Sequence, residues 1–211
     1  MPASPKPLWL EWTVILLIRL MIVVTRLMPL AWARALGRSV GAGLYHFNGR
    51  MRRVAVRNLE LAYPEWTPSR RRVVARQSVQ STGELMSEMG WVWTQSREKA
   101  AALLEVDGVD CVTEPLESNL NRKSGAAPVM GAVLRTERGF RAVYRPAGAG
   151  AESDDALEAL SAINLGVEKL IAGNERQYHW QYKRFRCRPK GLVDPHDWST
   201  LPLLDEAGLK R

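Results

Sequence analysis

Cysteine is nearly absent: the 211 residues hold only Cys111 and Cys187, far apart and in no C-x-x-C pattern. That excludes a disulfide-stapled scaffold and a cysteine zinc site, and suits two unpaired thiols in a reducing compartment. Histidine is almost as scarce, with His46, His179 and His196 alone. The chain has no G-x-S-x-G, no phosphate-binding glycine loop, no metal-ligand cluster and no internal repeat. Serine-hydrolase, nucleotide-binding and metal-hydrolase chemistries therefore have no foothold in it.

What is present is apolar bulk and unevenly placed charge. An apolar share of 46% over this length supports one medium domain with a core, plus an additional membrane element. The net charge of +8 is distributed as +10 over residues 1–76, −6 over 77–175 and +4 over 176–211. Two basic ends around an acidic middle predict an anionic partner shared by the ends. A lipid surface, a nucleic acid or an acidic carrier protein each satisfies that charge.

Residues 8–30 are strongly apolar but interrupted by Glu11, Arg19 and Arg26. We expect an N-terminal membrane anchor over residues 1–31, favoured over an in-plane helix because so few charges break the run. A cleaved signal peptide is disfavoured by Arg19 within the apolar run. Residues 34–57 then hold six arginines and no acid, which keeps this side cytoplasmic by the positive-inside tendency.

Ala33, Leu36, Val40, Leu44 and Phe47 recur at helical spacing and predict an amphipathic helix over 32–47, weakened by Gly37, Gly41 and Gly43. Asn48-Gly49 reads as a turn, 50–62 as a short helix ended by Pro64, and Thr67-Pro68 as the cap and first residue of a long helix over 69–94. Glu84 and Glu88 at i, i+4 mimic paired catalytic carboxylates, but a solvated or core-edge face is the better reading without a nearby histidine. Residues 106–121 read as a strand and then a loop, and 127–135 with 140–145 as a hairpin. A helix opening at Asp154 or Asp155 follows, with Leu157, Leu160, Ile163, Val167, Leu170 and Ile171 on one face. The division expected is thus an anchor over 1–31, a domain over 32–190 and a polar tail over 191–211.

Residues 177–189, QYHWQYKRFRCRP, gather four aromatics and, with His179, five basic side chains. Tyr178, Trp180, Tyr182 and Phe185 offer amphipathic surface, and Lys183, Arg184, Arg186 and Arg188 offer donors for phosphate or carboxylate. The mixture suits the face of an anionic amphiphile. Gln177, Tyr178, Trp180, Tyr182, Lys183, Arg184, Phe185, Arg188 and Pro189 resemble the C-terminal signature of the bacterial lipid A biosynthesis acyltransferases. A second block over 52–88, with Arg53, Arg57 and Asn58 in its RNL segment, looks like the arginine-rich stretch of the same family and the helix after it.

The resemblance implies an α/β fold, an N-terminal membrane helix with a small mixed sheet packed by helices, on the cytoplasmic face of a bacterial inner membrane. It also implies transfer of a fatty acyl chain from acyl carrier protein to a lipid A precursor, with the thioester as donor and no cofactor. Carried over residue by residue, Arg53, Arg57, Asn58, Gln177, Tyr178, Trp180, Lys183, Arg184, Phe185 and Arg188 form a candidate lipid-proximal edge.

One implied feature is missing. The family's chemistry rests on H-x-x-x-x-[DE], but five positions after His46, His179 and His196 come Met51, Arg184 and Leu201. The motif belongs near 112–122, where the chain reads TEPLESNLN instead. Set against the resemblance, the simplest account is the loss of a central block, and the copy is expected to be impaired; His179 is a poor substitute base. The rival readings are a non-catalytic lipid-binding protein that pairs with a full-length paralogue, an unfolded remnant with exposed strand edges, and, least favoured given the apolar run, nucleic-acid binding through the basic segment 50–76.

Overall fold

The computed structural model describes residues 8–110, 128–183, 191 and 193–197. Its elements in chain order are α1 (Leu8–Arg26), α2 (Leu30–Phe47), α3 (Gly49–Ala62), α4 (Pro68–Val92), α5 (Arg97–Ala101), β1 (Leu104–Asp107), β2 (Val129–Arg135), β3 (Phe140–Pro146) and α6 (Ala156–Ile171), with a 3-10 turn at Glu175–Gln177. The fold is α/β with a small mixed sheet, as expected. The chain forms two compact units, one from Met1–Ser96 with Tyr178–Arg211 and one from Arg97–Gln177.

The first unit is built on the contact between α2 and α4. A Cβ on Gly37 or Gly83 would overlap the other residue's backbone carbonyl, and one on Gly41 would strike the backbone of Gln80. Two of the glycines that weaken the helix by propensity, Gly37 and Gly41, are therefore what lets two backbones touch, while Gly43 faces open space. Around this contact Ala33, Ala75 and Val79 are fully buried. Of the solvated and core-edge alternatives for Glu84 and Glu88 the structure shows a buried one: Arg34 Nε lies 2.6 Å from Glu88 Oε1, and Arg38 Nε 2.5 Å from Glu84 Oε1. Arginines at i, i+4 on α2 thus meet glutamates at i, i+4 on α4.

The expected membrane anchor is overturned. Among the described residues no helix is long and apolar enough to cross a membrane. The apolar stretch ends at Pro29, which disfavours helical geometry at Met28 and stands at the N-terminal boundary of α2. What remains is a 19-residue helix carrying Glu11, Arg19 and Arg26, about 28 Å long at 1.5 Å per residue against roughly 30 Å of hydrocarbon. The C-terminal end of α1 packs on α4 instead: Thr25 is buried against Gly90, and Trp91 Nε1 donates to the carbonyl of Met28 at 2.9 Å.

Local capping explains the other starts. Asn48 accepts from the Met51 amide at 3.1 Å, Thr67 from that of Arg70 at 3.3 Å and Asp155 from that of Leu157 at 2.8 Å. Asn48-Gly49 is thus a helix start rather than a free turn. In the second unit the sheet order is β1-β3-β2, with β1 parallel and β2 antiparallel to β3. The hairpin is closed by Thr136, whose amide donates to the Gly139 carbonyl and whose hydroxyl accepts from the Gly139 amide, both at 3.0 Å. On the open edge of β2 the Gln177 carboxamide takes the place of a neighbouring strand, accepting from the Arg135 amide at 2.8 Å and donating to its carbonyl at 3.2 Å.

Truncating Glu88 leaves Arg34, with 8% of its side chain exposed, in a site built for an ion pair. Glu88→Ala is expected to cost about 3–5 kcal/mol. The partner of Glu84, Arg38, is 62% exposed, so Glu84→Ala is expected to cost clearly less, and urea denaturation of the two variants reads the difference.

Candidate functional site

The two sequence blocks that carry the family resemblance meet in the first unit, and Asn58 on α3 joins them. Its Nδ2 donates to the carbonyl of Trp180 at 2.7 Å and to that of Tyr182 at 2.8 Å. With both amide protons used, Oδ1 is the acceptor, and it lies 3.1 Å from His196 Nε2. The network therefore assigns the proton of neutral His196 to Nε2.

A second set of contacts comes from α4. Ser78 Oγ donates to the Tyr178 carbonyl at 2.5 Å and accepts from the Trp180 amide at 3.2 Å. One turn on, Thr82 Oγ1 lies 3.3 Å from His179 Nδ1 and accepts from Gln181 Nε2. Residues 178–182 are thus held on both flanks by polar side chains, which satisfies the backbone groups of a segment that forms no helix or strand.

Aromatic packing fills the space between. Trp180 is 4% exposed and meets Tyr178 edge-on at 4.7 Å and Tyr63 at 5.8 Å. Tyr63 in turn stacks on Trp66 at 4.0 Å, and the Arg70 guanidinium covers Trp66 at 3.9 Å. The tryptophan expected on a lipid-proximal edge is an inward anchor, while Tyr182 is exposed. Lys183 Nζ is 3.3 Å from Asp194 Oδ2, and Arg57 Nη1 is 2.9 Å from Glu60 Oε2. Arg53 is half-buried on α3. Gln177 sits in the second unit on the backbone of Arg135. Arg184, Phe185 and Arg188 lie outside the described residues, as do both cysteines and the interval 112–122.

Among the described residues no hydrogen bond within 3.5 Å joins a histidine to a carboxylate. His46 packs edge-on to Tyr45, and His179 faces the Thr82 hydroxyl and the Gln181 amide. His196 Nδ1 is 3.6 Å from Asp194 Oδ1, beyond a hydrogen bond. Burial first, then the Lys183 charge, lower its affinity for a proton below the ordinary 6.5, Asp194 opposing and Arg57 adding. Among the described residues no three His, Cys, Asp or Glu side chains gather as a metal site. In the second unit a cleft of about 580 Å³ opens between the sheet and α6, with Leu134, Val143 and Leu170 beside Arg141, Arg145 and Lys169. Arg141 and Arg145 are paired with Glu105 and Asp107.

Sequence reasoning missed Ser78, Thr82 and His196. The signal available was a cluster of small polar residues, Ser78, Ser81 and Thr82, on one mid-helix face where alanine or leucine would be better helix formers.

These features define a class: an α/β protein whose helical unit clasps a C-terminal aromatic and basic segment. The comparisons identify the family. Residues 4–126 match the family described as bacterial lipid A biosynthesis acyltransferase, and the chain belongs to that family. It is 30% identical over 156 residues to a lipid A biosynthesis acyltransferase of Haemophilus influenzae, an alignment covering 68% of this chain and 46% of that protein. The chain thus spans about half the length of the curated relative it matches.

Two outcomes test the clasp. Asn58→Ala strands two carbonyls and a histidine, and is expected to cost about 2–4 kcal/mol by urea denaturation. A histidine whose folded affinity for protons is lowered binds fewer of them folded than unfolded, so its contribution is full above the unfolded value of 6.5 and is lost as pH falls through the folded value. The urea midpoint is expected to drop between about pH 7 and pH 5, and to drop less in His196→Gln.

Proposed function

We propose that this chain is a lipid A acyltransferase-type protein that engages an acyl carrier protein thioester and a lipid A precursor on the cytoplasmic face of a bacterial inner membrane, with its acyl-transfer activity impaired. The family membership, together with the name of the Haemophilus relative, supports the substrate classes. The impairment rests on one observation: no histidine in the sequence has an acid five residues on. Acyl transfer to a hydroxyl needs a base to take its proton, and losing that base costs typically 10² to 10⁴-fold. The reaction needs no cofactor, because the thioester carries its own leaving group.

A second reading keeps the substrates and drops the chemistry: a non-catalytic lipid-binding protein that pairs with a full-length paralogue. The intact clasp favours it, since Asn58, Ser78 and Trp180 keep the signature segment in place although the catalytic motif is gone.

The test is acyl transfer read as a mass gain on a lipid A precursor, with acyl carrier protein thioester as donor and the Haemophilus enzyme alongside. The expected rate is at least about 100-fold below that enzyme. A rate within tenfold would sink the impairment, and His179→Ala would then ask whether that imidazole is the base. Failure to bind either substrate would sink the substrate reading itself.

A further inference from the structure

The first turns of α4 are assembled against their own electrostatics. Arg70, Arg71 and Arg72 stand third to fifth in the helix, where the unsatisfied amides of an N-terminus create positive potential and disfavour cations. The two flanking arginines are accommodated: the Arg70 guanidinium covers Trp66 at 3.9 Å, and Arg72 Nη2 donates to Ser69 Oγ at 3.4 Å. Arg71 is not. It is 4% exposed, and among the described residues its guanidinium has no ion-pair partner, with Nη1 buried and without a hydrogen bond.

Buried arginine elsewhere in the unit is paired. Arg34 and Arg57, each 7% exposed, hold Glu88 and Glu60. No described acid takes that part for Arg71, since Glu60 is engaged by Arg57 and Glu65, the nearest in sequence, is exposed. A charge left uncompensated in the interior is strongly destabilising. The site is therefore complete only with an anion that the described residues do not supply.

Its surroundings select that anion. Arg71, Ala75, Ser78 and Thr82 share an arc of about 60° at 100° per residue, so Arg71 stands on the face of α4 that grips residues 178–182. The aromatic chain from Arg70 through Trp66 and Tyr63 to Trp180, whose amide donates to Ser78, spans the same stretch of helix. A helical side chain leans towards the N-terminus, which directs the Arg71 guanidinium back over residues 67–70, all exposed. There the Arg70 and Arg71 amides are taken by the Thr67 hydroxyl and carbonyl and Pro68 has none, so the Ser69 amide is the open donor. Residues 50–76 hold eight arginines against two glutamates, a field that favours a dianion over a single charge. Phosphate answers each feature, with two charges, a pair of oxygens for the guanidinium fork and another for the amide.

We propose that the start of α4 is a phosphate-binding site, with Arg71 as its buried fork and the Ser69 amide as its second donor. Free phosphate and the phosphate of a lipid headgroup present the same oxygens to it. The inference goes beyond the acyl-transfer reading and does not require it.

The full chain is unfolded by urea in chloride buffer, and again with inorganic phosphate or with dihexanoyl phosphatidic acid kept monomeric, at matched ionic strength. About 5 mM of the preferred anion is expected to lower the unfolding constant about tenfold, as a dissociation constant of about 0.5 mM requires. A response to inorganic phosphate assigns a free phosphate, and a response to phosphatidic acid alone assigns a headgroup. Arg71→Met, of similar stem and no charge, is expected to cut the response to less than about twofold, and in chloride to be at least as stable as the wild type. Arg71→Lys keeps charge and stem, which secures a folded variant, and is expected to weaken the response at least about threefold because an ammonium offers no fork. Arg50→Met removes an exposed charge from the same basic stretch and is expected to change the response by less than about twofold. No response to either anion, a response undiminished in both Arg71 variants, or an equal loss in Arg50→Met would each overturn the proposal. Turnover is not read, so a failed acyl-transfer assay leaves this result standing, and a failed anion response leaves the functional reading standing.

Discussion

The close approach of α2 and α4 is the constraint on which the first unit depends. Because Gly37 and Gly83 bring two backbones into contact, side chains beside the seam have no room except along it, and polar ones there must find partners. Arg34 and Glu88 do so under near-complete burial. A pair of this kind adds little net stability relative to an apolar seam, but it penalises any slip of one helix along the other, since a slip would pull the buried charges away from each other. The ladder fixes register, and the glycines supply proximity.

The same contact decides what the other faces of both helices do. With one face of α2 committed inward, the large apolar residues of its other face stand exposed. With α4 held in register, the face bearing Ser78 and Thr82 is turned to residues 178–182, and α3 brings Asn58 to the same segment. A stretch without regular structure thereby acquires fixed coordinates, its carbonyls taken by side chains from two helices. Packing of Trp180 against Tyr178 and Tyr63 gives the apolar half of that grip.

How much was legible in the sequence follows from how local each determinant is. Thr67-Pro68 and Asp155 announce their helices because a cap acts within one turn, and the hairpin at 136–139 is equally self-contained. The resemblance of 52–88 and 177–189 was readable as pattern, but their joining by Asn58 spans more than a hundred residues and leaves no periodic trace. The partners of Glu84 and Glu88 were illegible for the same reason, since they lie on another helix and only a solvated or core-edge face could be read. The anchor failed differently. Summed apolarity described composition correctly, yet Pro29 ends the helix it forms, and Thr25 and Trp91 dock the end of that helix on α4.

The clasp and the missing motif bear differently on function. Asn58 and Ser78 act on backbone groups, so they stabilise the signature segment independently of any chemistry, and selection for folding alone would keep them. An H-x-x-x-x-[DE] pair has no such structural duty; its imidazole is needed only where a hydroxyl must lose a proton. A chain can therefore lose the pair and retain the clasp without internal conflict. Among the described residues, Tyr178 to Tyr182 are held by side chains of α3 and α4 in the unit whose helices α1 and α2 carry exposed apolar side chains.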